Sequence, residues 1–435
     1  MRISGSQGTD KPVRVSNASH TKVNAEKNPH SKLTRNLTKT FNSFLGILPN
    51  TPLTIQTLDQ VQAKFWPSPN EELMTNIWNI CKDTSREFLA AQEDKAIRST
   101  NSGTKKRPIA FSTTDGLDIV LQLEEKDGQL QVQSILVNPG GSAVNVARAL
   151  SNFGTPFELI GTVGSGPKGK MYSEALVKEG IDPNILIPLN MDHRIHFSTA
   201  INSKEYWLVS ALPIFNGPQL SDFTGKVIDA CRKNEKEAFA LSNREPAGAK
   251  ETYVPETIKT VQDKYGMFVI YDTKKHAVSK EVVDSVLNIG PGMIKPNLVE
   301  FGDIVGSDES TLRNDKDLIA QLAQELIKQH GINLILVSMD KDGAMLIDKK
   351  RAAHANAPKI VVASPGCAGD TGIGAMIDRS KKRDFSLKGL SDKQFKDILS
   401  AFTAAGAATA SKPGSLIATL EEVEALEKQV KAKFV

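Results

Sequence analysis

From about Ile109 onward the apolar positions fall into short runs, separated by longer stretches in which they recur every three to four residues. Phe157–Val163 reads as a strand and Met171–Glu179 as the helix that follows it. Met267–Tyr271 and Ser279–Leu287 repeat the pair, and Leu334–Ser338 is a further strand-like run. Such alternation predicts an α/β domain with a mainly parallel sheet between covering helices. Two segments break it. Val120–Leu123 and Gln129–Leu136 flank Lys126-Asp127-Gly128, while Ile195–Ile201 and Tyr206–Leu212 flank Asn202-Ser203-Lys204-Glu205. Each pair reads as a hairpin. Two hairpins placed early in the domain, at about 118–137 and 194–213, predict a small second sheet that can act as a lid.

The chain ahead of this pattern reads differently. Residues 1–53 are predicted to be a disordered basic arm, 54–95 a helical extension, and 96–107 a polar linker. Within the extension Asn70 is placed to cap a helix with Glu71 and Glu72 in its first turn. Leu73, Ile77, Ile80, Phe88 and Leu89 form an apolar stripe predicted to dock on the main domain, 108–435.

Composition narrows the classes. In 435 residues, 40% are apolar and 24% charged, as in ordinary globular proteins. No apolar run approaches the roughly 18 residues of a membrane span, so no membrane partner is expected. The 54 Lys and Arg exceed the 50 Asp and Glu, but the first 40 residues hold 8 of the former and 2 of the latter. The positive charge therefore belongs to the arm, and a nucleic-acid-binding body is not indicated. Cys81, Cys231 and Cys367 are too few and too far apart for a disulfide framework or zinc cluster. A cytoplasmic location is the expectation, with an organelle transit peptide in the acid-poor residues 1–40 as the alternative.

Three glycine-rich segments have the small residues that a phosphate cradle needs. Gly164, Gly166 and Gly169 spell a dinucleotide fingerprint, and Gly164 to Lys170 most of a P-loop. A P-loop, however, needs a hydroxyl after its lysine to hold Mg²⁺, and Met171 stands there. An acidic residue ending a second strand is also missing, since Asp182 lies in a loop-like stretch. In the second segment Gly140 and Gly141 open a helix that presents Asn145 in its first turn. The third is Ser364-Pro365-Gly366-Cys367-Ala368-Gly369-Asp370-Thr371-Gly372, ahead of a helical stretch from Ile373. Its successive small-residue amides suit an anion, and Asp370 can accept a proton from an attacking hydroxyl.

Taken together, these segments resemble the PfkB (ribokinase-like) carbohydrate kinase family, most closely its phosphofructokinase and tagatose-phosphate kinase branch. Residues 140–150 match the first family signature and 367–371 the second. Ile294-Lys295-Pro296-Asn297-Leu298-Val299-Glu300 resembles its Lys-Pro-Asn-x-x-Glu segment, and Val337–Ala344 its nucleotide-side strand and turn. The resemblance implies a three-layer α/β/α domain with a β-sheet lid. It implies Asp370 as catalytic base, with the Ala368, Gly369 and Asp370 amides, next to Cys367, as the anion hole. It places Asp118, Gly140, Gly141, Asn145 and Arg194 at the substrate, Lys295, Ser338 and Gly343 along ATP, and Asn297 and Glu300 near Mg²⁺ through water. A homodimer through the lid is a further implication.

Four departures from the family pattern bear on substrate and activity. Ser142 stands where the branch has lysine, and His193-Arg194-Ile195-His196 keeps only the arginine of its Thr-Arg-x-Asn segment. Cys367 replaces the first glycine of the anion hole, and Asp340 stands where glycine is common. The expected function is ATP- and Mg²⁺-dependent phosphorylation of a hydroxyl on a sugar or sugar phosphate. The alternatives are a nucleoside or small-alcohol kinase, and a kinase fold retained for binding or regulation.

Overall fold

The computed structural model describes residues 105–435 apart from 114, 127–128, 202–203, 243 and 274–278. The arm, the helical extension and most of the linker lie outside the described residues.

The strands are β1 (Ile109–Phe111), β2 (Gly116–Lys126), β3 (Gln129–Gly140), β4 (Glu158–Ile160), β5 (Thr162–Gly164), β6 (Ile187–Leu189), β7 (Ile195–Ile201), β8 (Lys204–Val209), β9 (Ala238–Ser242), β10 (Phe268–Asp272), β11 (Met293–Ile294), β12 (Leu334–Ser338), β13 (Ala344–Ile347), β14 (Ala352–Ala355) and β15 (Ala432–Phe434). Nine form one sheet in the order β15-β14-β13-β12-β11-β10-β9-β1-β4. From β4 to β12 the neighbours run parallel, and β13, β14 and β15 close the far edge antiparallel.

The parallel strands are buried on both faces, which is why they read as unbroken apolar runs. Ile109, Phe239, Val269, Tyr271, Ile335 and Val337 enter one core, with helices Gly217–Lys233, Tyr253–Tyr265, Lys280–Ile289 and Lys316–His330. Ala110, Ala240, Phe268, Ile270, Leu334 and Leu336 enter the other, with helices Ser142–Phe153, Ala368–Lys382 and Asp392–Ala410. The result is the expected three-layer α/β/α arrangement. A groove of about 500 Å³ between helices Gly217–Lys233 and Tyr253–Tyr265 lies on the first layer, across the sheet from Asp370. Among the described residues no helix is long and apolar enough to cross a membrane.

The two hairpins join into one four-stranded sheet, β3-β2-β7-β8. Parallel pairing of β2 with β7, from Leu117 with Ile195 to Leu121 with Thr199, makes the joint. The strands are longer than the apolar pattern indicated: pairing of β2 with β3 runs from Gly116 with Gly140 to Lys126 with Gln129. Strand β8 starts at Lys204, ahead of the expected Tyr206, and ends at Val209 rather than Leu212. Antiparallel ladders continue through polar residues that a hydrophobic reading discards. Leu117, Ile119, Leu121, Val137 and Phe197 pack with Met171, Tyr172 and Leu176 of helix Pro167–Lys178. On the opposite face Asn138 Nδ2 donates to Ser415 Oγ at 3.1 Å. The base of the lid is thus covered on both faces by this same chain.

Candidate active site

The third glycine segment does lead into a helix N-terminus, but the helix takes in part of the segment itself. The helix starts at Ala368, not at Ile373, with Cys367 as its N-cap in a left-handed conformation, φ +63°. Thr371 closes the first turn by donating both its N–H and its hydroxyl to the Cys367 carbonyl, at 2.9 Å each. The amides of Ala368, Gly369 and Asp370 are therefore the first three of a helix, whose N–H groups have no intrahelical acceptor. Two glycines seat this helix: a Cβ at Gly372 would stand 2.5 Å from the Phe402 ring, and one at Gly374 2.6 Å from Ala149. Lys295 lies beside the same turn, its Nζ 3.1 Å from where a Cβ on Gly369 would be. That ammonium also pairs with buried Asp272 at 2.8 Å. Asp370 is buried, and its Oδ2 accepts from Asn145 Nδ2 at 2.9 Å.

Asn145 belongs to helix Ser142–Phe153, whose N-cap Gly141 has φ +110°, a conformation that glycine adopts without strain. Gly140 answers a close approach instead: a Cβ there would lie 2.2 Å from Asp118 Oδ1. The lid thus brings Asp118 against the glycines, and His196 Nδ1 stands 3.3 Å from Asp118 Oδ1. Arg194 joins from the start of β7, its carbonyl accepting from Leu117 N and its Nε donating to Ser210 O at 3.3 Å. Contacts therefore link Asp118, Gly140, Gly141, Asn145 and Asp370 into one cleft, with Arg194 at its lid edge.

Asn297 and Glu300 engage each other at the head of helix Leu298–Val305. Asn297 Oδ1 accepts from Glu300 N at 2.8 Å, and Glu300 Oε2 accepts from Asn297 N at 2.9 Å and from Thr273 Oγ1 at 3.0 Å. Asn297 bridges to Ser338 across the strand ends. Among the described residues there is no cluster of three or more metal-ligating side chains. Gly343 has φ +90°, and a Cβ there would fall 1.9 Å from the Ala355 carbonyl, so the β13–β14 packing itself demands glycine. Asp340 also has positive φ, +50°, which explains why glycine is at home in this turn. Its exposed carboxylate pairs with Arg313 at 3.3 Å.

The Gly164–Gly169 turn is not a phosphate cradle. Asp192 Oδ1 already accepts from the N–H groups of Lys168 (2.9 Å) and Gly169 (3.3 Å) at the head of helix Pro167–Lys178. The glycine at 169 answers the Gly164 carbonyl, 1.8 Å from a Cβ placed there. His193 is buried, stacks on Tyr172 at 4.0 Å and accepts from Gly164 N, so it is no metal ligand.

The family profile described as pfkB family carbohydrate kinase matches residues 113–422. The chain belongs to this family. Similar proteins include the 1-phosphofructokinase of Borreliella burgdorferi, 28% identical over 242 residues, covering 55% of this chain and 72% of that protein. The D-tagatose-1-phosphate kinase of Klebsiella oxytoca is 25% identical over 303 residues, covering 67% and 87%. In fold, the phosphofructokinase-2 of Escherichia coli in complex with fructose-6-phosphate matches with a TM-score of 0.61 at 20% identity, covering 75% of this chain and 99% of that one. The ribokinase of Thermotoga maritima matches with a TM-score of 0.54 at 18% identity, covering 74% and 100%. This PfkB chain is a sugar kinase of the phosphofructokinase-like kind, with ATP as the co-substrate that such kinases use.

Several polar residues around this PfkB cleft are invisible to motif reading. Arg244 follows β9, and its carbonyl accepts from the Thr113 hydroxyl. Burial and the facing Arg244 guanidinium push Arg194 down to about 10. The sequence signal is a charged pair, Arg244-Glu245, two residues beyond the apolar run Ala238–Leu241. Arg148 and Glu179 form a buried pair at 2.9 Å under the cleft. Asp115, three residues before Asp118, accepts from Thr162 N and from Thr162 Oγ1 (3.1 Å).

Burial pushes the Asp115 carboxyl from its ordinary 3.8 up to about 7. A carboxyl raised on folding contributes most to stability below pH 3.8, and that contribution is lost as pH rises through 7. Melting temperature is therefore expected to fall between pH 5 and pH 8 more steeply in the native protein than in Asp115→Asn. Glu245, also pushed up by burial to about 8, acts in both proteins alike. Parallel melting curves across that window would show that Asp115 ionises freely in the folded state.

Proposed function

We propose that the protein transfers the γ-phosphoryl group of ATP to a hydroxyl of a sugar that already carries a phosphate. Buried Asp370 in the first turn of its helix, with Asn145 on one side and Lys295 beside the adjacent amides, carries the reading. Asp370 takes the hydroxyl proton as the sugar oxygen attacks phosphorus, and ADP departs. The amides of Ala368 to Asp370 and the Lys295 ammonium stabilise charge on the moving phosphoryl group, which is where this chemistry needs help. Asn297 and Glu300 would hold Mg²⁺ through water, and the ion supplies neutralisation of the phosphate oxygens. Asp118 holds sugar hydroxyls, and the lid excludes water.

The phosphorylated acceptor is supported by Arg194 and Arg244. Two guanidiniums that repel each other at the edge of the cleft are stabilised by a dianion between them, and arginine suits phosphate geometry. Arg244 supplies a cation that Ser142 does not. The names 1-phosphofructokinase and D-tagatose-1-phosphate kinase point the same way.

ADP release should be measured with fructose 1-phosphate, fructose 6-phosphate, the tagatose phosphates, free fructose and adenosine. Turnover on a hexose phosphate is expected. Arg244→Ala is expected to raise KM for it by about 10- to 100-fold, as loss of charge-assisted hydrogen bonds does, with KM for ATP unchanged. Equal preference for free fructose, or no effect of Arg244→Ala, would point to an unphosphorylated acceptor.

A further inference from the structure

Arg148 is fully buried, with 0% exposure, and it is one of the largest buried side chains of the protein. Its Nη1 donates to Asn145 Oδ1 at 3.1 Å and to the Ser415 carbonyl at 2.9 Å, and its Nη2 donates to Glu179 Oε1 at 2.9 Å. A guanidinium has donors only. The atom of the Asn145 amide that faces it must therefore be the oxygen, which leaves Nδ2 as the atom that meets Asp370 Oδ2 at 2.9 Å. Without Arg148 the amide can turn over and present a lone pair to the carboxylate. Arg148 in turn needs a counter-charge in a dry interior, and Glu179 at the C-cap of helix Pro167–Lys178 supplies it. Burial would lower the Arg148 pKa, and attraction to Glu179 together with Cys367 and Asp118 turns the net shift upward. The Glu179 backbone is itself pinned, since its carbonyl accepts from Ser151 Oγ at 2.8 Å.

We propose that Glu179 and Arg148 are positioning residues for phosphoryl transfer: they lock the Asn145 amide so that it donates to Asp370, holding that carboxylate ionised and aimed at the acceptor hydroxyl. The inference rests on Asp370 acting as the base. A donor to a carboxylate favours its charged form, so the chain keeps Asp370 ready to accept a proton at neutral pH. The other charged groups near Asp370 are Lys295 with Asp272 on the strand-end side, and Asp118 with His196 on the lid side. Cys367 lies on its own helix. The variants below leave all of these in place.

The test is the pH profile of kcat for Arg148→Lys and Glu179→Gln in the full chain, at saturating ATP and hexose phosphate. A lysine ammonium keeps the charge but cannot reach Asn145, Ser415 and Glu179 in one fork. Its acidic limb is expected to move up by about one pH unit, the size of one lost hydrogen bond to a carboxylate. At neutral pH, where the carboxylate is still ionised, kcat is expected to fall about ten-fold through the lost aim of Asp370, with KM for ATP unchanged. Glu179→Gln keeps the volume and an acceptor for Arg148, and is expected to shift the limb in the same direction by less. If Arg148→Lys does not fold, Glu179→Gln decides. Folded variants with lowered melting temperature and an unmoved acidic limb would make the pair structural and overturn the proposal. Asp370→Asn in the same assay separates the two levels: full turnover there would overturn the base assignment itself.

Discussion

Asp370→Asn is expected to lower kcat by about three orders of magnitude, within the range that general-base catalysis contributes. The amide has the shape of the carboxylate and can still meet Asn145, but it cannot accept the proton of an attacking hydroxyl. ATP should bind as before, because the Ala368 and Gly369 amides and Lys295 stay where they are. Single-turnover ADP formation and calorimetric ATP titration read the two quantities separately. Turnover near that of the native protein would remove Asp370 from the chemistry. Loss of ATP binding would instead show that the substitution had disturbed the helix start.

The second large effect concerns stability. Arg148→Met is expected to lower the free energy of unfolding by about 3–5 kcal/mol, the usual result of removing one partner from a buried ion pair. Glu179, 9% exposed, would be left with a charge and no counter-ion, and the Ser415 carbonyl and Asn145 Oδ1 would each lose a donor. The double variant Arg148→Met with Glu179→Leu should recover much of that loss, because no isolated charge remains. Denaturant midpoints at constant m-value measure both. A single-variant loss below about 1 kcal/mol would mean that water reaches this pair in solution.

The sheet was legible in the chain wherever a strand is buried on both faces. Leu334–Ser338 was read with the bounds it has, and Met267–Tyr271 was one residue out at each end. The lid strands were read short, because Lys204, Glu205 and Lys126 carry no apolar signal although their backbones join the ladder. Asp370 stood out as chemistry, yet its helix was read as starting at Ile373: glycines and a left-handed Cys367 look like a loop to any pattern of propensities. The cleft's supporting residues were not legible at all. Arg148 meets Glu179, 31 residues away, and Asp192 meets the turn at Gly169. Such pairs have no spacing rule, since only the tertiary fold makes them neighbours. The Gly164–Gly169 fingerprint failed for a related reason. A glycine motif records where backbones pass close, and here the passing partners are the chain's own.

The place of β1 in the sheet has a consequence for synthesis. It lies between β4 and β9, and β9 begins only at Ala238. At roughly 5–20 residues per second a ribosome takes on the order of ten seconds to make the chain between them. Through that interval Ile109, Ala110 and Phe111, each at most 1% exposed in the finished protein, sit on an open strand edge. Unpaired apolar edges recruit other chains. When β9 pairs with β1 the open edge passes to β9 itself, and it closes only once β10, from Phe268, has been made.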